Sequence, residues 1–117
     1  MTIRFKVHPQ GPDTVLAAAD QSALGIKHAD PPATPDASGR TTPRRVLDLA
    51  LFRAFYDGET ADEERLASLL STCTSANLVG ERAVAVALKA GLARAEHVVK
   101  IGAVPHLQLY RIPKDGE

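Results

Sequence analysis

The feature that most constrains this chain is a proline-rich stretch about a third of the way along it. Residues 28–42, HADPPATPDASGRTT, hold three prolines together with glycine and small polar residues. Proline lacks the backbone N–H that helix interiors and central strands require, so this composition is typical of a linker or a long loop. The stretch predicts three parts: an N-terminal arm at 1–41, a compact domain at 42–112 and a polar tail at 113–117.

The arm carries one clear strand pattern. Residues 2–8 alternate apolar and polar side chains, which predicts a strand with one buried face formed by Ile3, Phe5 and Val7. Residues 14–24 predict a short helix, with Thr14 as its cap and Gly25 at its end.

The compact domain begins with two predicted helices. Thr42 is a good N-cap and Pro43 suits the first helical position, so helix one runs from there to Gly58. Thr60 and Glu63 have the spacing of a capping box, which predicts the start of a short second helix.

A third helix and a hairpin complete the domain. Apolar spacing predicts helix three over residues 76–90, with Gly91 ending it in a left-handed conformation. Residues 92–101 and 106–112 are strand-like, and the turn at 102–105 predicts a β-hairpin between them.

This order of elements resembles the winged helix-turn-helix superfamily. The resemblance is carried by residues 64–101, ERLASLLSTCTSANLVGERAVAVALKAGLARAEHVVKI, in which a short helix, a turn and a longer helix precede the first hairpin strand. It implies an α+β fold for residues 42–112: a three-helix bundle with a C-terminal β-hairpin wing, preceded by the N-terminal strand and short helix.

The resemblance also implies a function, namely sequence-specific binding of double-stranded DNA by a small transcriptional regulator through helix three and the wing. Arg82 and Lys89 share a helix face, from which a base edge and a phosphate are within reach. Near the start of the helix, Ser75 and Asn77 are candidates for capping as well as for binding. The full set of candidate DNA contacts is Ser75, Asn77, Arg82, Lys89, Arg94, Lys100 and His106.

Two further observations favour a protein partner. The chain has 14 basic and 14 acidic residues, and helix three is rich in alanine, so the alternative function is a winged-helix protein-interaction module with no DNA binding. Leu49, Phe52 and Tyr56 form a second apolar stripe on helix one, which either the arm or a second subunit must cover. The stripe predicts a homodimer interface, and the N-terminal strand is then free to join the wing sheet instead.

The sequence carries no signal for catalysis. It has one cysteine, scattered histidines and isolated glycines, so we expect no enzyme activity, no metal site and no cofactor. No apolar run resembles a signal-peptide core or reaches the length of a membrane span, and the expected location is the cytoplasm.

Overall fold

The centre of the fold is a six-stranded mixed sheet, in a computed structural model that describes residues 2–31, 35, 37–40 and 45–110. Its strands are β1 (Ile3–Gln10), β2 (Asp13–Asp20), β5 (Glu59–Ala61), β6 (Ser75–Val79), β7 (Val99–Ile101) and β8 (Val104–Tyr110). They lie in the order β5-β1-β2-β6-β8-β7. The pair β2 and β6 is parallel, whereas the other neighbours are antiparallel.

The remaining elements pack on the two faces of this sheet. They are a two-stranded sheet of β3 (Lys27–Ala29) and β4 (Val46–Asp48), the helices α1 (Arg53–Tyr56), α2 (Glu63–Leu70) and α3 (Glu81–Lys89), and the 3-10 turns Gln21–Ala23 and Ala95–His97. Helices α2 and α3 cover one face, which we call the helix face. Parts of residues 21–57 cover the opposite face, which we call the loop face.

Burial follows from this two-sided covering. On the helix face, Ile3 and Phe5 of β1 pack with Leu66 and Leu70 of α2, and burying such side chains stabilises the fold by roughly 1.5–3 kcal/mol each. The central strand β2 is covered on both faces, so all four residues of 16–19 are fully buried. Strands of this kind are apolar at every position instead of alternating.

A buried carboxylate joins β2 to α3. Asp20, at the end of β2, is only 6% exposed, and it accepts hydrogen bonds from the backbone N–H groups of Arg82 and Ala83, both at 2.9 Å. The first N–H groups of a helix have no partner inside the helix, and the helix dipole favours a negative charge beside them. Asp20 therefore caps α3 from another strand, while Gly80, with φ of +101°, turns the chain out of β6.

The winged-helix prediction is wrong. The structure has a large mixed sheet in place of a three-helix bundle, and no helix-turn-helix unit occurs among the described residues. Strands from the predicted arm and from the predicted compact domain lie together in this one sheet. The predictions of DNA binding and transcription regulation depended on the helix-turn-helix and its wing, and they therefore lose their structural basis.

Two predicted helices are strands in whole or in part. Of the predicted helix 14–24, residues 14–20 lie in β2, because their apolar run fits a strand buried on both faces as well as a helix, and residues 21–23 form the first 3-10 turn. Predicted helix three is divided at Gly80 into β6 and α3, since the positive φ of Gly80 is incompatible with a helix interior. Its end at Gly91 is confirmed: Gly91 has φ of +77°, and Leu92 N–H donates to the carbonyl of Ala87.

The other local predictions have mixed outcomes. The strand of residues 2–8 is confirmed as β1. The hairpin is confirmed in part as β7–β8: its first strand covers only Val99–Ile101 of the predicted 92–101, and it forms the sheet edge and not a wing. Helix one is reduced to α1, because the Asp48 carboxylate accepts from the N–H groups of Ala50 and Leu51 and forms a turn there. Its predicted start at 42–43 lies outside the described residues.

The junction at Gly80 yields a prediction from a matched pair of glycines. Both Gly80 and Gly91 have positive φ, but a Cβ at Gly80 would overlap the carboxyl group of Asp20, whereas a Cβ at Gly91 has open space. Gly91→Ala should therefore lower the free energy of unfolding by about 1 kcal/mol, from backbone strain alone. Gly80→Ala should cost roughly 2 kcal/mol more, because the side chain also displaces Asp20. Urea unfolding measures both, and equal losses would contradict this account of the junction.

Candidate functional site

The predicted DNA contacts are dispersed over the molecule. Ser75 and Asn77 lie on β6, at the centre of the sheet, and not on a helix. Arg82 and Lys89 lie on α3, Arg94 lies just before the second 3-10 turn, and Lys100 lies on the edge strand β7. His106 lies on β8. No single surface presents the set.

The basic residues of α3 face acidic ones on α2. Arg82 forms an ion pair with Glu63 at 2.8 Å, and this contact holds the pKa of the Glu63 carboxyl below its usual value. A groove of about 460 Å³ between the two helices is lined by Glu63, Glu64 and Lys89 together with small apolar residues. A DNA contact at this surface would bring phosphates close to two carboxylates, which repel them; the contact of Arg82 and Lys89 with DNA stays a prediction.

A second groove, on the loop face, brings aromatic and polar side chains together. We call it the aromatic groove; its volume is about 340 Å³, and its lining residues are Leu47, Phe52, Phe55, Tyr56, Asn77, His106 and Gln108. None of these seven side chains is a carboxylate, ammonium or guanidinium group.

The sheet forms the floor of the aromatic groove. Asn77 on β6 and Gln108 on β8 are register partners, so their side chains stand next to each other on the loop face. His106 lies two residues before Gln108 on the same strand and therefore projects to the same face. The register of β6 with β8 thus fixes the three polar side chains of the floor.

The helix α1 forms the wall. Phe55 stacks on the His8 ring with 4.3 Å between ring centroids, and the His8 ring also bonds the Phe55 carbonyl at 2.8 Å. Asp57, just after α1, pairs with Arg4 of β1 and with Arg53, and these two hydrogen bonds hold the pKa of Asp57 below its usual value. The wall is therefore attached to β1, which is separated by β2 from the strands β6 and β8 that form the floor.

Three polar groups of the aromatic groove have no hydrogen-bond partner in the described part of the chain: the Asn77 amide, the Tyr56 hydroxyl and the His106 imidazole. Burial raises the pKa of Tyr56 to about 12 and lowers the pKa of His106 below its usual value. None of these polar atoms is both sealed from solvent and unbonded. A ligand in the groove can therefore reach them, and apolar walls with a few convergent polar groups are the usual form of a binding site.

The groove contains residues of both predicted sites, the dimer stripe and the DNA contacts. From the predicted dimer stripe, Phe52 is 56% exposed and lines the groove, Tyr56 is buried at its base, and Leu49 is fully buried in the core. From the predicted DNA contacts it contains Asn77 and His106. Leu47, Phe55 and Gln108 were not among the predicted site residues; the alternation of His106, Gln108 and Tyr110 was the one available signal, since it places all three on one strand face.

No group of three or more histidine, cysteine or acidic side chains in the ranges 2–31, 35, 37–40 and 45–110 is placed to hold a metal ion. Within the same ranges, every helix is too short or too polar to cross a bilayer.

The lowered pKa of His106 gives a prediction about acid stability. Because the folded protein favours the neutral imidazole, the unfolded chain takes up this proton first as the pH falls below about 6.5. His106 should therefore reduce stability as the pH falls through that value, until the pH passes the lower pKa of the folded state. His106→Gln should lose less stability than wild type between about pH 7.5 and pH 5 in urea unfolding. Parallel curves for the two proteins would exclude this role.

A solved structure shares the fold of this chain. The chain is similar to an uncharacterized conserved protein from Methanopyrus kandleri, known from a crystal structure, with 25% sequence identity and a TM-score of 0.71 over 100% of this chain and 97% of that one. No curated protein matches it significantly. The family model described as "Protein of unknown function (DUF424)" matches residues 33–112, which include every residue of the aromatic groove. The match spans well over half of the chain, so the winged-helix resemblance gives way and the protein belongs to the DUF424 family.

Proposed function

We propose that this protein is a binding module that recognises a polypeptide partner in the aromatic groove. The observation that carries the proposal is the combination, in one uncharged groove, of an exposed aromatic wall with unpartnered amide and imidazole groups. This proposal retains the protein-interaction function that the sequence predicted as an alternative, but without the winged fold.

The polar groups of the groove suit a peptide main chain. The amides of Asn77 and Gln108 each offer a donor and an acceptor, which is the complement that a peptide group requires. The Gln108 oxygen already accepts from the Tyr110 hydroxyl at 3.1 Å, so its amide nitrogen remains available. Burial lowers the pKa of His106 and so favours its neutral form, which adds one donor or acceptor without adding a charge.

The aromatic wall suits an apolar side chain. Phe52 is 56% exposed, and Phe55 is held in place by its stacking on His8. Interfaces gain most of their free energy from a few such anchors that lose water completely on binding. With no charged side chain in its lining, the groove favours uncharged partner residues, because a charge placed there would lose its hydration without gaining a counter-ion.

The proposal predicts a specific pattern in a peptide selection. A library of random peptides displayed on phage should yield binders to the full-length protein. Phe52→Ala should weaken the tightest selected peptide about tenfold, and Asn77→Ala should also weaken it, as expected for interface anchors. The matched control is Leu51→Ala: Leu51 is 73% exposed and adjacent in the chain but does not line the groove, so binding should not change.

The selection distinguishes this function from the alternatives. Failure to enrich any peptide contradicts the proposal. So does a peptide whose affinity, measured by titration calorimetry, is the same for wild type, Phe52→Ala and Asn77→Ala. Circular dichroism and urea unfolding of each variant show that a loss of affinity comes from the groove and not from unfolding; Phe52 is largely exposed, so its replacement should leave stability nearly unchanged.

A further inference from the structure

The outer edge of β8 is only half paired. Strand β7 pairs with Val104–His106, and the remaining residues of β8, Leu107–Tyr110, continue beyond its end. In the described part of the chain no strand lies on that side of them and no backbone hydrogen bond reaches them from it. We call these four residues the open edge; at about 3.4 Å per residue they present roughly 14 Å of strand.

The ladder with β6 shows which backbone groups point outward. Gly80 N–H donates to the Pro105 carbonyl, so the backbone groups of Pro105 point toward β6. Backbone groups alternate in direction along a strand, so those of Leu107 and Leu109 also point to β6. The N–H and C=O groups of Gln108 and Tyr110 therefore point away from the sheet, at the open edge.

The opposite edge of the sheet is blocked, which makes the open edge distinctive. There, β5 pairs with Ile3–Phe5, and the rest of β1 is guarded by Pro9, which has no N–H. The side chains of Lys6 and His8 in addition reach back to the carbonyls of Ala54 and Phe55. Proteins protect edge strands with prolines and charged residues of this kind. The open edge carries neither: it consists of two leucines, a glutamine and a tyrosine.

We propose that the polypeptide partner binds as an extended strand added to β8 along the open edge. The inference rests on the proposed function of the aromatic groove and specifies how that partner binds. The main chain of the added strand bonds the outward groups of Gln108 and Tyr110, which is the mode of recognition called β-strand addition.

The same geometry connects the open edge to the aromatic groove. Residues directly opposite each other on paired strands project to the same face. Partner residues opposite Gln108 and Tyr110 therefore project to the loop face, where Gln108 lines the groove and Tyr110, 71% exposed, stands beside it. Alternate partner residues thus face the groove, and since the groove lining is uncharged, the partner is a short extended segment with uncharged, apolar side chains at every second position.

The test uses the tightest peptide selected against the full-length protein and follows amide hydrogen exchange by NMR. In the free protein the Gln108 and Tyr110 amides should exchange quickly, and saturating peptide should slow both by at least about tenfold, because they become hydrogen-bonded. A second measurement replaces each peptide residue in turn by its N-methyl form. Binding should be lost at every second position and kept between, because only alternate N–H groups of the added strand face β8.

A pair of variants isolates the backbone contribution on the protein side. Gln108→Pro removes an N–H that does not serve the β6 ladder, and proline is tolerated in edge strands at such positions. Gln108→Ala removes the same side chain but keeps the N–H, so Gln108→Pro should bind the peptide about tenfold more weakly than Gln108→Ala. If Gln108→Pro fails to fold, the N-methyl series on the wild-type protein decides.

The outcomes separate the two proposals. A peptide that depends on Phe52 and Asn77 but neither protects the Gln108 and Tyr110 amides nor shows the alternating N-methyl pattern overturns strand addition and leaves the groove proposal intact. If no peptide is selected, both are overturned. Protection of the two amides that rises with protein concentration in the absence of peptide identifies a second copy of this chain as the occupant, which also overturns the proposed partner.

Discussion

The fold depends on the contact between Asp20 and the start of α3. Strands β2 and β6 are parallel, so the chain must leave one end of β2 and return to the other end of β6 through residues 21–74. At the carboxyl ends of both strands, Asp20 accepts from the N–H groups of Arg82 and Ala83, while Gly80 leaves room for the Asp20 side chain. Leaving a buried carboxylate or these helix N–H groups without partners costs about 1–3 kcal/mol or more. The contact therefore fixes the parallel pair and the helix layer together.

This contact also occupies a position at which other sheets with parallel strands bind ligands. In sheets with parallel strands, ligands usually occupy the crevice at the carboxyl ends of the strands, where a helix N-terminus attracts anions. Here the protein's own Asp20 carboxylate takes that position. The long connection that the parallel pair requires instead covers part of the loop face through Leu49 and Tyr56 and stops short of Asn77 and Gln108. The aromatic groove is thus the uncovered remainder of a face that a second layer covers only in part.

Local signals in the sequence were sufficient to predict three features of the fold. The alternation in β1, the glycine end of α3 and the turn of the β7–β8 hairpin are each encoded within a few residues. The central strands were not predictable in this way, because burial on both faces removes the period-two pattern and leaves alanine-rich runs such as 16–19 that suit a helix equally well.

The site was only partly accessible from the sequence for a different reason. Phe52, Tyr56, Asn77 and His106 were identified as candidate contacts, but they were assigned to two separate surfaces. What unites them is the register of β6 with β8 and the position of α1 over the sheet, and both are long-range pairings. No local pattern indicates that Asn77 lies beside Gln108, because residues about thirty positions apart become neighbours only through the topology of the whole sheet.

The two sides of the groove differ in how firmly they are held. The floor belongs to β6 and β8, which pair with each other at five register positions, whereas the wall is attached by partly exposed ion pairs, in which Asp57 bridges Arg4 and Arg53. Such pairs each contribute little to stability and are screened by salt, so the wall can adapt while the floor stays fixed.

A fall in pH disfavours both the floor and the wall of the groove. Protonation of His106 places a charge in the groove once the pH falls below the lowered pKa of the folded state, and the stability gained from the lowered pKa of Asp57 is lost when that carboxylate is protonated in turn. The aromatic groove is therefore best formed at neutral pH, where its floor is uncharged and its wall is fully paired.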